Sequence, residues 1–307
     1  MSSGMTEGRH QSMAIQEFYC RTENVGIHQK IIFSALNIPL CITALLGNVL
    51  IILALQKVSF PHPPSKLLIG CLACTDLCVG LITQPLYVSF LMIPAHSRLC
   101  HYLNIASFTL GILLCGVSLF TLTAIGVDRL LALLLGIRYR QIVTLRKIWK
   151  LVASLWISGV ALAMTSFYNV RITTGITGVI LLLCVATSCY CYLKIYYTLR
   201  HHQAQIGDHV HQGERREGGI PLNIARYRNT VCTALYMQIT LLACYLPYGI
   251  VAALRAVTGE SLNTAWDVAL SLIFFNSTLN PFLFCWRTRQ VRQAVKSTIK
   301  QLYCLSS

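Results

Sequence analysis

Seven apolar stretches run along the chain, each near the roughly 20 residues an α-helix needs to cross a hydrocarbon core. They span Ile31 to Gln56, Leu67 to Ser97, Leu99 to Val127, Leu151 to Val170, Ile172 to Leu193, Asn229 to Leu254 and Val268 to Trp286. Only Asp76, in the second, puts a charge inside a stretch. A mid-span charge costs about 2.5–3.5 kcal/mol on insertion scales, so charge-free runs of this length predict membrane-spanning helices. Stretches four and five almost merge. The break is placed at Arg171, between Asn169 and Thr173, because one merged helix would far exceed a single crossing.

Beyond Trp286 the pattern changes. Val291, Val295, Ile299 and Tyr303 recur every four residues among basic ones, which predicts an amphipathic helix lying on the membrane face. Cys304 at its end is a candidate for palmitoylation. The polar run from His201 to Pro221 reads as a mobile loop. The first 29 residues are polar and lack the apolar core of a cleavable signal, so the first stretch is expected to direct insertion. The expected organisation is an outer tail (1–29), a seven-span domain (30–286), and an amphipathic helix with tail (287–307). The fold class is an all-α membrane protein: a seven-transmembrane helix bundle plus an amphipathic C-terminal helix on the inner membrane face.

Composition agrees. The chain is 55% hydrophobic and 11% charged, against about a quarter charged for soluble domains. Its net charge of +15 would alone suit a nucleic-acid binder. Its distribution says otherwise, because nineteen of the 25 basic residues fall on one side of the seven stretches. By the positive-inside rule that side is cytoplasmic and the N-terminus is outside, and the basic surface faces anionic lipid. Most of the 14 cysteines lie inside apolar stretches, where Cys acts as a small hydrophobe. One CxxC, Cys71 to Cys74, sits mid-stretch with no second pair to complete a zinc site.

Short motifs then fall in order on successive stretches: Gly47-Asn48-Val49-Leu50; Leu72-Ala73-Cys74-Thr75-Asp76; Ile125-Gly126-Val127-Asp128-Arg129-Leu130; Trp156; Tyr192; Cys244-Tyr245-Leu246-Pro247; and Asn280-Pro281-Phe282-Leu283-Phe284. Together they resemble the rhodopsin-like (class A) G-protein-coupled receptors. The short second outer loop, and the run from Arg138 to Thr144, resemble the melanocortin, cannabinoid, lysophospholipid and adenosine cluster.

The resemblance implies roles. Asp76 would hold a sodium ion with Asn48, Ser118, Asn276 and Asn280, since several oxygen groups around one carboxylate suit a hard cation. The alternative is a hydrogen-bonded carboxyl that ties helices together. No other cofactor is implied. Asp128 would restrain Arg129 at rest, and Arg129 would turn toward Tyr192 and a G protein on activation; its guanidinium offers fixed donors and permanent charge. Pro247 and Pro281 each remove a helix hydrogen bond and supply hinges. The inner half of segment six would then swing outward, a two-state element that a ligand biases.

Departures matter as much. Leu130 stands where the family usually has Tyr, Tyr245 where it has Trp, and Phe284 where it has Tyr. The inner end of segment six offers Arg226, Tyr227 and Arg228 and no acid for Arg129. Losing the Phe284 hydroxyl weakens the active state and losing the acid weakens the resting one; modest constitutive signalling is the expectation. The second outer loop has no Cys for the usual disulfide, which leaves Cys20–Cys100 as a candidate pair.

The pocket implied by the resemblance comprises Leu86, Gly111, Ile112, Cys115, Tyr245, Tyr248, Leu270 and Phe274, and is mostly apolar. Gly111 takes the place of the Asp of amine receptors, and Phe274 that of the retinal Lys of opsins. A lipid, a peptide end or another small molecule fits such a lining. Expected partners are a heterotrimeric G protein, arrestin, an extracellular ligand and the lipid bilayer, with no nucleic acid. The expected location is the plasma membrane, multi-pass, with the C-terminus cytoplasmic. The competing reading is a transporter or channel, against which no paired halves with matching broken helices are seen. Hydrolase, protease and nucleotide-binding motifs are absent, so no enzyme is expected.

Overall fold

The computed structural model describes residues 26–57, 63–94, 97–211, 220–258, 262–287 and 289–306, without the side chains of 202–235 and a few others. They form eight long helices: α1 (Ile27–Lys57), α2 (Pro63–Met92), α3 (Arg98–Leu135), α4 (Leu145–Met164), α5 (Val170–His211), α6 (Ile220–Thr258), α7 (Asn263–Arg287) and α8 (Arg289–Ser306). The first five and α7 are long and apolar enough to cross a membrane, and Ile239–Arg255 of α6 is a shorter apolar helix. Large apolar side chains such as Leu46, Ile157, Leu183 and Phe282 stay exposed on the outside of the bundle, as a lipid-facing surface requires.

Boundaries differ from the sequence reading in three places. The break between α4 and α5 is a 3-10 turn at Thr165–Phe167, before Arg171 rather than at it. The Ser166 hydroxyl donates to the Ala163 carbonyl, and Thr165 to Leu162, satisfying the carbonyls that end α4. Asn169 then accepts from the Ile172 amide and opens α5. The run 201–221 is largely helical, since α5 continues to His211 and α6 begins at Ile220; the expected mobile centre, 212–219, lies outside the described residues. Finally, α7 starts at Asn263 and so includes Asp267, whose charge had closed the apolar window.

Small residues let the helices approach. A methyl on Gly159 would come within 2.5 Å of Val117 Cγ2, so α4 lies directly on α3 there. On Gly47 it would meet the Pro281 ring at 2.9 Å, which closes α1 on α7. In α2, residues Val79–Thr83 form a π-helical turn. Beneath the bundle, α8 buries Val291, Ala294 and Thr298, while Ile299, on the face expected to be apolar, is 36% exposed. Lys57 of α1 clamps α8 by donating to Thr298 Oγ1 (3.0 Å) and Gln301 Oε1 (2.6 Å).

Replacing Gly159 by Ala should destabilise by about 1–3 kcal/mol, because branched Val117 cannot give way without overpacking. Gly178→Ala, where nothing lies within 4 Å of the added carbon, should be neutral or stabilising. Unfolding temperatures of the detergent-purified variants check the contrast; equal values would contradict it.

Candidate functional site

Three polar or cavity-forming groups lie along the bundle. The central one is Asp76, fully buried. Its carboxylate accepts from Ser118 Oγ of α3 (2.9 Å), and from Ser277 Oγ (2.8 Å) and Asn280 Nδ2 (2.7 Å) of α7. A buried carboxylate needs such donors, and these join α2, α3 and α7. Ser277 was not anticipated. The sequence reading chose Asn276 beside it, but Asn276 Nδ2 is buried without a hydrogen-bond partner among the described residues. Asn48 donates to the Ala44 and Ser277 carbonyls, so it braces α7 rather than touching Asp76.

At the inner end, Asp128 is buried. Ser65 Oγ of α2 donates to one of its carboxylate oxygens at 2.9 Å, and the Tyr139 hydroxyl donates to the other. Tyr139 reaches back because Gly136, at φ +50°, turns the chain sharply into the short helix Tyr139–Ile142. The expected restraint on Arg129 therefore takes another form: Asp128 engages the two hydroxyls, and Arg129 Nε is buried with no hydrogen-bond partner among the described residues. Tyr192 packs with Leu130, Ile195 and Leu199, next to Gly126 of α3. Phe284 is buried in the main core. The side chains of Arg226 and Arg228, and that of Cys304, lie outside the described residues.

The outer half encloses a cavity of about 930 Å³, including its open mouth. Seven of the eight expected residues line it: Gly111, Ile112, Cys115, Tyr245, Tyr248, Leu270 and Phe274. Leu86 does not, and Tyr87 stands in its place. The cause is the π turn at Val79–Thr83, which adds a residue to α2 and rotates everything beyond it. The wall is also less apolar than expected. Asp267 and Thr177 line it, and Tyr87 Oη donates to Asp267 Oδ1 at 2.9 Å. Tyr245 Oη reaches the Cys115 carbonyl at 3.4 Å. The Tyr248 ring lies 4.9 Å from that of Trp266, over which Arg255 sits at 4.4 Å.

Cys100, at the outer end of α3, is disulfide-bonded. Its expected partner, Cys20, lies outside the described residues. None of the ten other cysteines whose side chains are described forms a disulfide.

An apolar bundle holding a buried carboxylate, an inner Asp-Arg pair and an outer cavity is matched by comparison. The family model described as 7 transmembrane receptor (rhodopsin family) matches residues 47–175 and 165–284. The chain belongs to this family. A curated relative, the adenosine receptor A3 of Ovis aries, is 23% identical over 289 residues, covering 86% of this chain and 87% of the relative. The protein is thus a G-protein-coupled receptor of the rhodopsin-like class and a multi-pass membrane protein, which displaces the transporter reading.

Tyr87→Phe should destabilise by about 1–3 kcal/mol, because it strips a buried carboxylate of its hydroxyl donor. Asp267→Asn, which keeps an acceptor for Tyr87, should cost less. Thermal unfolding of the two variants reads the order, and the reverse order would show that the bond does not brace α2 on α7.

Proposed function

We propose that an extracellular ligand enters the outer cavity and drives G-protein activation through outward movement of the inner half of α6. One observation carries the reading: Tyr245 lines the cavity, and Pro247, two residues on, lies inside the same helix. A ligand that moves Tyr245 therefore acts directly beside a missing backbone hydrogen bond, where a helix bends most readily. Below, the Asp76 cluster couples α2, α3 and α7, and Arg129 lies near the inner end of α3, about one turn beyond Gly126, which faces the Tyr192 ring. The receptor sits in the plasma membrane with its N-terminus outside, and the same cleft receives arrestin after activation.

Reconstitution with a panel of heterotrimeric G proteins tests this. Nucleotide exchange above the empty-membrane level is expected even without ligand, because the 226–228 run supplies no acid to restrain Arg129 at rest. Arg129→Ala should cut it at least about tenfold, or 1.4 kcal/mol of coupling. Exchange unaffected by Arg129→Ala would sink the coupling role.

The Asp76 cluster is proposed to admit a sodium ion. Among the described residues no three His, Cys, Asp or Glu converge, so the donors are one carboxylate with neutral oxygens. Asp76, Ser118 and Ser277 would hold the ion, with Asn276 and Asn280 supporting bound water. That set suits a hard monovalent cation better than a softer metal. Sodium chloride should raise the unfolding temperature over choline chloride at equal ionic strength, and Asp76→Asn should abolish the difference. No sodium effect in the parent protein would reject the site.

The Cys100 disulfide is assigned to Cys20. Apart from Cys20, only Cys232 and Cys304 are not among the cysteines described without a disulfide, and they belong to the inner half of α6 and to α8, far along the chain from the outer end of α3. Cys304 is proposed as the palmitoylated residue that pins α8 to the membrane.

A further inference from the structure

Among the described residues, Asp267 is the one charged side chain in the cavity wall. It is only 7% exposed. One of its oxygens takes the Tyr87 hydroxyl, and Arg255, the nearby cation, lies over the Trp266 ring and does not contribute to the wall. A carboxylate so placed has lost most of its water, with the Tyr87 hydroxyl and the field of Arg255 in return, and a cation in direct contact improves that balance. Its surroundings point the same way. Tyr87, Phe108, Tyr248, Trp266 and Phe274 line the cavity with aromatic rings, whose faces carry negative charge density and attract cations. The remaining wall is mostly apolar, broken by the neutral side chains of Asn104, Ser107 and Thr177, and it penalises a second charge.

We propose that the cavity recognises a small monocationic amine with an aromatic or aliphatic body, its ammonium held by Asp267 and its body packed among the rings. This rests on the reading of the cavity as the receptor's ligand site. Asp267 enters from the outer end of α7, so the expected ammonium position is the cavity's α2–α7 side and not its α3 wall, where Gly111 offers no side chain. Tyr87, bonded to Asp267 and packed edge-on to Phe274 at 5.5 Å, fixes the carboxylate's direction.

The test uses the purified full-length receptor and matched probes that differ in charge alone: 2-phenylethylamine with 2-phenylethanol, tryptamine with tryptophol, dodecylamine with 1-dodecanol. Adenosine, a neutral nucleoside named for the sheep relative, serves as a further arm. Affinity is read by ligand-induced thermal stabilisation without G protein, so the result is separate from coupling. In at least one pair the amine should bind tenfold or more tightly than its alcohol. Asp267→Asn should erase that margin and Asp267→Glu should restore part of it, each variant first shown to unfold near the parent temperature without ligand. Arg129→Ala should leave amine binding unchanged, so a receptor that fails to couple can still pass. Absence of an amine preference in every pair, a preference that survives Asp267→Asn, or adenosine binding more tightly than every amine would overturn the proposal.

Discussion

A carboxylate in an apolar interior cannot be left alone, and Asp76 shows how that constraint organises the bundle. Its donors must come from other helices, because α2 spends its own backbone groups on itself. Ser118 brings α3, and Ser277 and Asn280 bring α7. Asn48 then ties α1 to the same stretch of α7 through the Ser277 carbonyl. Lipid offers no hydrophobic drive between helices, so association rests on such bonds and on close packing, here at Gly47 against Pro281 and Gly159 against Val117. The polar centre is therefore a tie among four helices, and a change of charge there is felt by all of them.

The two ends of the bundle depend on that centre differently. Outwards, α6 buries Leu241, Cys244 and Tyr248 in the main core, and its Tyr245 bonds weakly to Cys115 of α3, a contact a ligand can replace. Inwards, Asp128 is gripped by Ser65 and Tyr139, which fixes α3 against α2 and the loop after it while the Arg129 guanidinium Nε has no such fixed bond. An α1–α2–α3–α7 frame with an α6 that packs closely on α5 and α7 and carries Pro247 inside it is the arrangement a two-state switch needs.

Much of this was legible in the sequence, for physical reasons. Charge-free length marks a span whatever its detail, and the motif order identified the class and placed Ser118 and Asn280 on Asp76. The rest depended on rotation and reach. Whether Asn276 or Ser277 faces Asp76 is settled by the rotation of α7 about its axis, which hydropathy does not encode in a helix apolar all round. Tyr139 was visible only as part of a basic run, because its bond to Asp128 requires the turn at Gly136. Asp267 was missed because a charge ends an apolar window, although the helix continues through it. Leu86 was misplaced because residue counting from Asp76 assumes an unbroken α-helical period.

That last error has a wider reach. The π turn at Val79–Thr83 makes α2 two registers joined end to end, one counted from Asp76 and one from Tyr87. A ligand pose or mutational map transferred by counting along the sequence from a relative without the turn will be sound on its inner side and one residue out on its outer side. Any homologue that gains or loses the turn can exchange its cavity-facing side chains along a whole helix by a single insertion or deletion, without substituting a residue in the cavity.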